Sequence, residues 1–254
     1  MQSRWLESAP RVIAHRGASQ RAPENTIRAF LTGVSLGADA IELDAKLTRD
    51  GAVVVHHDRT LDRTTSGKGR LDRRRLAELE GLDAGIRFGI EYAGERIPTL
   101  RRVFEALGES VLFDIELSNY RQPFSRLPGA VFKLIREFGF QDRVLLSSFN
   151  PVALRRAKEH LPEVPRALLL MHCEPWWMRK LLGAALKVEV VQVEDRLTSP
   201  GVIKDVHMGG RKVHVWVVNE RLRMRDLFSW GVDGVITDLP EMARELLDDG
   251  IPDR

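Results

Sequence analysis

His15 and His57 each stand at the end of an apolar run, and each is followed at once by a charged residue. Around them lie Ala14-His15-Arg16-Gly17, Pro23-Glu24-Asn25-Thr26, Ile41-Glu42-Leu43-Asp44, Asp50-Gly51, His56-His57-Asp58 and Arg63-Thr64-Thr65. Histidine changes charge near neutral pH, so two of them supply an acid and a base. Glu42 and Asp44 offer hard oxygen ligands, and the planar fork of Arg16 can hold an anion. Together these groups have the chemistry to cleave a phosphate ester with the help of a divalent cation.

Glu42 and Asp44 are two apart on a candidate strand, so their side chains leave the same face. Ile41 and Leu43 mark that strand as buried, and two buried carboxylates repel each other unless a cation lies between them. Solvated acids on a strand edge are the blander account, and the apolar flanks argue against it. Glu116 ends the run Val111-Leu112-Phe113-Asp114-Ile115-Glu116 and would reach the C-terminal mouth of a barrel. Asp114 has the same parity, so on spacing alone either acid serves. Ligation by carboxylates without cysteine suits one Mg²⁺ or Ca²⁺, with Mn²⁺ also admissible, rather than zinc. His56 has the opposite parity to His57 and reads as structural, as do His160, His172, His207 and His214. Arg16 could clamp phosphate or pair with Glu24; Asn25 could cap a helix or orient a catalytic group.

These residues need a scaffold. Nine short β-rich runs, Val12–His15, Ala40–Asp44, Val53–His56, Val111–Glu116, Val144–Ser148, Ala167–Met171, Val188–Val193, Val213–Val217 and Gly234–Thr237, alternate with helical periods. Ile27, Phe30, Leu31 and Val34 follow i, i+3, i+4, i+7 spacing, as do Leu100, Val103, Phe104 and Leu107. Asn150-Pro151, Ser199-Pro200 and Asp238-Leu239-Pro240 read as helix starts. The alternation predicts an α/β fold of the TIM-type (β/α)8 barrel, expected as one domain over residues 1–254. Nine candidates compete for eight places, and residues 45–52 are too few for a crossover helix. Residues 58–100 look like an inserted partial cap over the site. Near the mouth fall Ser147-Ser148-Phe149-Asn150, Trp216 and Asn219.

Composition is that of an ordinary globular protein: 43% hydrophobic and 30% charged residues, with 39 basic against 36 acidic. That balance, without a long basic run, gives no ground for a nucleic-acid partner; Arg73-Arg74-Arg75 reads as a solvated helix face. Cys173 is the only cysteine, so no intrachain disulfide forms. No apolar run approaches the ~20 residues of a membrane helix, and the first residues lack a signal core. The expected location is therefore cytoplasmic, without integral membrane association. Trp176, Trp177, Leu181 and Leu182 could touch lipid or pack on the barrel. Nothing indicates an oligomeric state.

The ordered set of motifs resembles the glycerophosphodiester phosphodiesterases of the cytoplasmic type. It includes the elements above and Gly67/Gly69, Ile97-Pro98-Thr99-Leu100, Ile115-Glu116, Ser148-Phe149, Trp216 to Asn219, and Gly231-Val232-Asp233-Gly234 to Thr237-Asp238. The resemblance implies a phospholipase-C-like barrel, a bound divalent cation, and hydrolysis of a small-molecule glycerophosphodiester to sn-glycerol 3-phosphate and an alcohol. It implies Glu42, Asp44 and Glu116 as metal ligands and His15 and His57 as the acid–base pair, with His15 the first base or the roles reversed. Arg16 becomes a phosphate contact, with Trp216 and Asn219 near the substrate. One position departs from the pattern. The family commonly has Glu-x-Lys after this strand, and here the chain reads Glu116-Leu117-Ser118. Lys46, Arg121 and Arg196 are candidate replacements for that charge. Lysophospholipase-D-like action on a monoacyl substrate, and a phosphodiester-binding barrel without turnover, remain as alternatives.

Overall fold

The computed structural model describes residues 3–7, 10–118, 124–172 and 185–250. Nine strands form one sheet: β1 (Arg11–His15), β2 (Ala40–Leu47), β3 (Val53–Val55), β4 (Leu112–Leu117), β5 (Val144–Ser148), β6 (Arg166–Leu170), β7 (Val190–Glu194), β8 (Lys212–Trp216) and β9 (Gly234–Thr237). Eight are parallel and close into a barrel, because β1 pairs with both β2 and β9. The ninth is β3, which turns back antiparallel along the upper end of β2, from Ala45↔Val55 to Leu47↔Val53. The short segment after β2 is thus a hairpin turn at Gly51 and not a crossover, which explains the surplus strand.

The helices cover the outside: α1 (Ile27–Ser35), α3 (Leu100–Leu107), α4 (Leu127–Phe138), α5 (Pro151–His160), α6 (Pro200–Met208), α7 (Arg221–Ser229) and α8 (Pro240–Asp248), with the one-turn α2 (Leu76–Leu79) in the excursion. Thr26 and Thr99 cap α1 and α3 by accepting from Ala29 N and Arg102 N. The apolar stripe Leu100, Val103, Phe104 and Leu107 is buried as its spacing predicts. Outward-facing strand residues and these stripes form the two large apolar clusters between sheet and helices. None of the helices among the described residues is long and apolar enough to cross a membrane.

Inside the barrel the packing changes with depth. Its floor is apolar: Ile13, Ala40, Leu112, Leu145, Ala167, Val190 and Ile236 close around Trp5, which is 1% exposed. Trp5 belongs to the 3₁₀ turn Arg4–Leu6, and its Nε1 donates to Arg143 O at 2.9 Å. Residues 58–100 carry a small core of their own, Leu61, Leu71, Leu79, Ala84 and Ile97, seated on Val54. This excursion stands beside the mouth and braces it, with Tyr92 Oη donating to Arg21 O at 2.6 Å. Arg121, Cys173, Trp176, Trp177, Leu181 and Leu182 lie outside the described residues.

Candidate active site

β2 and β4 lie side by side in the register Glu42↔Asp114 and Asp44↔Glu116. Parity turns all four acids inward, and Glu42, Asp44 and Glu116 each bring one carboxylate oxygen within 4.8 Å of the others. The three are anchored from outside the group. Asn25 Nδ2 donates to Asp44 Oδ2 at 2.9 Å, Arg16 N to Glu42 Oε2 at 2.9 Å, and Ser118 Oγ to Glu116 Oε1 at 2.9 Å and Asp44 Oδ1 at 3.3 Å. Asn25 therefore orients Asp44; the cap of α1 is its neighbour Thr26. Arg16 and Asn25 both adopt left-handed φ, +55° and +58°, a conformation non-glycine residues hold only under local constraint. Gly17, at φ +84°, is required for space as well, since a Cβ there would lie 2.5 Å from Ala29 C.

The electrostatics of the triad suit a cation. Burial, then Asp44 and Asp114, push the Glu42 carboxyl well above its ordinary range. Burial and Asp44 raise Glu116 to about 7. Asp44 is also penalised by burial, but Arg16, His57, Lys46 and Asn25 outweigh that and hold it down to about 2. One firmly ionised carboxylate with two frustrated neighbours, all oxygen donors, fits a hard divalent ion. Asp114 is committed elsewhere. It sits one level deeper, accepting from Ser147 Oγ at 2.6 Å and from Gln192 Nε2. Depth separates the two acids that parity left together: Glu116 lies with Glu42 and Asp44, and Asp114 does not.

Each histidine is backed by an aspartate. His15 Nδ1 lies 2.7 Å from Asp238 Oδ1, and His57 Nδ1 lies 2.7 Å from Asp58 Oδ1. An ionised aspartate only accepts, so Nδ1 carries the proton and Nε2 is left basic in the neutral ring. Asp238 is itself held by Ser19 Oγ at 2.6 Å and Asn219 Nδ2 at 2.6 Å. Burial opposes its ionisation, yet the bonds from His15, Ser19 and Asn219 bring it down to about 2. The Asn219 amide binds Asp238 and the end of β9, and Asn219 is not among the residues that line the cavity. Asp238 is corrected, because the helix start after it has Leu239 as its cap residue with no side-chain bond. The signal for its role was its parity with Ile236 on an inward face, visible only once β9 is known to pair with β1. Asn150 and Ser199 do cap their helices. His56 donates to Thr60 O at 3.0 Å, a structural role.

Arg16 pairs with Glu24, as expected, and also faces one of the clustered acids. Its Nη1 donates to Glu24 Oε1 at 2.9 Å, and its Nε lies 3.5 Å from Asp44 Oδ2. Glu24 continues through Arg63 to Asp58, so one ionic chain links the metal group to the aspartate behind His57. Ser118 binds the two carboxylates, and Arg196 is exposed and away from the cavity. Trp216 does line the cavity, anchored by Nε1 to Gln192 O at 3.1 Å and edge-on to Phe149.

The cavity has a volume of about 500 Å³, within the range of small-ligand sites. His15, Arg16, Glu42, Asp44, Lys46, His57, Glu116 and Ser118 form its charged side, while Phe149, Leu169, Met171, Trp216 and Ile236 form an apolar one. Similarity to known proteins spans the whole assembly. A family model described as the glycerophosphoryl diester phosphodiesterase family matches residues 15–242. A glycerophosphodiester phosphodiesterase from Caldanaerobacter subterraneus subsp. tengcongensis is 42% identical, over 94% of this chain and 98% of that one. A glycerophosphodiester phosphodiesterase from Bacillus altitudinis is 32% identical, over 92% and 96%. The solved structure of a phosphodiesterase from Oleispira antarctica, in complex with the product sn-glycerol-3-phosphate, superposes with a TM-score of 0.88 at 32% identity, covering 94% of this chain and 97% of that one. The match begins at His15 and runs past Asp238, so it encloses both histidine–aspartate pairs and all three clustered acids, and the chain belongs to the glycerophosphoryl diester phosphodiesterase family.

Proposed function

We propose that the protein hydrolyses glycerophosphodiesters, the deacylated products of phospholipids, to sn-glycerol 3-phosphate and an alcohol. The observation that carries this reading is the meeting, in one cavity, of two aspartate-backed histidines and a three-carboxylate group. The activity named for the relatives, and the product bound in the Oleispira antarctica structure, support it.

Glu42, Asp44 and Glu116 would hold the cation, with Mg²⁺ or Ca²⁺ favoured by the donor set and Mn²⁺ admissible. When bound, a divalent cation supplies polarisation of a phosphoryl oxygen and a lowered pKa for the attacking hydroxyl. Arg16 holds phosphoryl oxygens with the part of its fork not engaged by Glu24. Nε2 of neutral His15 takes the proton of the substrate's own 2-hydroxyl as its oxygen attacks phosphorus. Nε2 of protonated His57 gives a proton to the departing alkoxide as the bond from phosphorus to that oxygen breaks. His57 suits the acid role because its side chain is 42% exposed, against 17% for His15, and can be re-protonated from solvent. The resulting cyclic phosphate is opened by water with the two roles exchanged. The rigid brace behind His15 fixes its tautomer, which is what a base requires.

The test uses metal-stripped protein reloaded separately with Mg²⁺, Ca²⁺ or Mn²⁺. The substrates are glycerophosphoethanolamine, glycerophosphocholine, glycerophosphoglycerol and one lysophospholipid. Metal-dependent release of sn-glycerol 3-phosphate is expected, and His15→Gln should abolish it while metal binding persists. Silence on every substrate with tight metal binding would sink the reading. The apolar wall of Phe149, Leu169, Met171 and Trp216 favours a second reading, in which the substrate keeps one acyl chain; activity confined to the lysophospholipid selects it.

A further inference from the structure

The inward face of β2 repeats Glu42, Asp44, Lys46, so the strand that supplies two of the clustered acids also sends a lysine into the same cavity. Lys46 is half-buried there, and its charge is felt by Asp44 and Glu116. Yet its ammonium makes no hydrogen bond or ion pair among the described residues. The neighbouring cations are different. Arg16 is tied to Glu24 and Asp44, and Arg63 to Glu24 and Asp58.

Charge balance gives the free lysine a task. A divalent ion offsets two of the three carboxylate charges, and most of Arg16 is shared with Glu24. A phosphodiester brings one negative charge and gains more as phosphorus is attacked. The hydroxyl of Ser118, where the family pattern has lysine, is turned to Asp44 and Glu116 and supplies no charge. Arg196 is exposed and outside the cavity wall. We propose that Lys46 is the phosphate-binding cation of this site, reaching the phosphoryl group from β2 in place of the charge that Ser118 does not provide. The proposal rests on the phosphodiesterase reading for the identity of the ligand. An anionic phosphoryl group is the chemistry that an unpaired ammonium beside a cation site recognises.

The experiment compares wild type, Lys46→Met, Lys46→Arg and Lys46→Met/Ser118→Lys, each loaded with Mn²⁺ and checked for folding by circular dichroism. Calorimetry measures inorganic phosphate and sn-glycerol 3-phosphate binding, electron paramagnetic resonance measures Mn²⁺ affinity, and turnover is followed on glycerophosphoethanolamine. Lys46→Met should weaken phosphate binding roughly tenfold or more and lower kcat by about 10²-fold, the scale of losing one preorganised charge contact. Its Mn²⁺ affinity should stay within about threefold of wild type, since the lysine is no ligand. Lys46→Arg should keep most of the phosphate affinity, and Ser118→Lys should restore it in the Lys46→Met background. Wild-type phosphate affinity in Lys46→Met overturns the proposal. So does a loss of Mn²⁺ affinity in step with phosphate affinity, which would make Lys46 a support of the carboxylate group's structure and not a phosphate contact. Lys46-dependent phosphate binding in a protein that turns over no glycerophosphodiester would sustain the proposal and refute the substrate assignment.

Discussion

Asp114 and Glu116 leave β4 on the same face, two residues apart, and both are pushed up to about 7 by burial. Their surroundings differ. Asp114 is closed off by protein dipoles, the hydroxyl of Ser147 and the amide of Gln192. Glu116 faces Glu42 and Asp44, three carboxylates with few donors between them. The lower level satisfies itself and holds strands β4, β5 and β7 together; the upper level is incomplete without something from outside. Burial alone does not mark a ligand-binding acid. What marks it is burial among like charges.

Four changes test that contrast, beginning with the most severe. Asp44→Asn removes the firmly ionised member of the upper group, and turnover should fall about 10³-fold or more with loss of Mn²⁺-dependent thermal stabilisation. Asp238→Asn leaves the carboxylates intact but strips His15 of its acceptor. A drop in kcat of about 10²–10³-fold with unchanged metal affinity is expected, and joint loss of both would place Asp238 in the metal group.

The third concerns His214, which lies deep in the barrel with neither ring nitrogen hydrogen-bonded among the described residues. Burial holds its pKa down to about 4, with Lys212 and Arg11 adding to the effect and Asp233 opposing it. The unfolded chain binds this proton near pH 6.5 and the folded chain does not. Stability from this group is therefore full above pH 6.5 and lost as pH falls toward 4, by at most about 3 kcal/mol. Urea unfolding of wild type and His214→Leu across pH 4–7 measures it; parallel curves would contradict the assignment. The smallest effect belongs to Asp114→Ala. It strands Ser147 and Gln192, so unfolding free energy should drop by about 1–3 kcal/mol while metal affinity barely moves. A large loss of metal affinity there would erase the distinction between the two levels.

Strand parity placed Glu42 and Asp44 on one face on sequence grounds, because alternation is a local property, and the resemblance added Glu116, His15 and His57, which the cavity does bring together. It could not choose between Asp114 and Glu116, which share parity and differ only in depth. Nor could it find the partner of His15, because Asp238 lies 223 positions away and reaches it only through barrel closure between β1 and β9. The same closure puts the Asn219 amide on Asp238. The surplus strand became intelligible once β3 was seen to fold back on β2; its spacing had already ruled out a crossover.

Trp5 and the apolar cluster around it fill the lower end of the barrel, beneath the cavity that Ile236 and Trp216 line. His57 lines the same cavity, and behind it stand the paired charges of Asp58, Arg63 and Glu24. A ligand in this cavity therefore meets charge on one side and hydrocarbon on the other, so the same well sorts a molecule by its two ends.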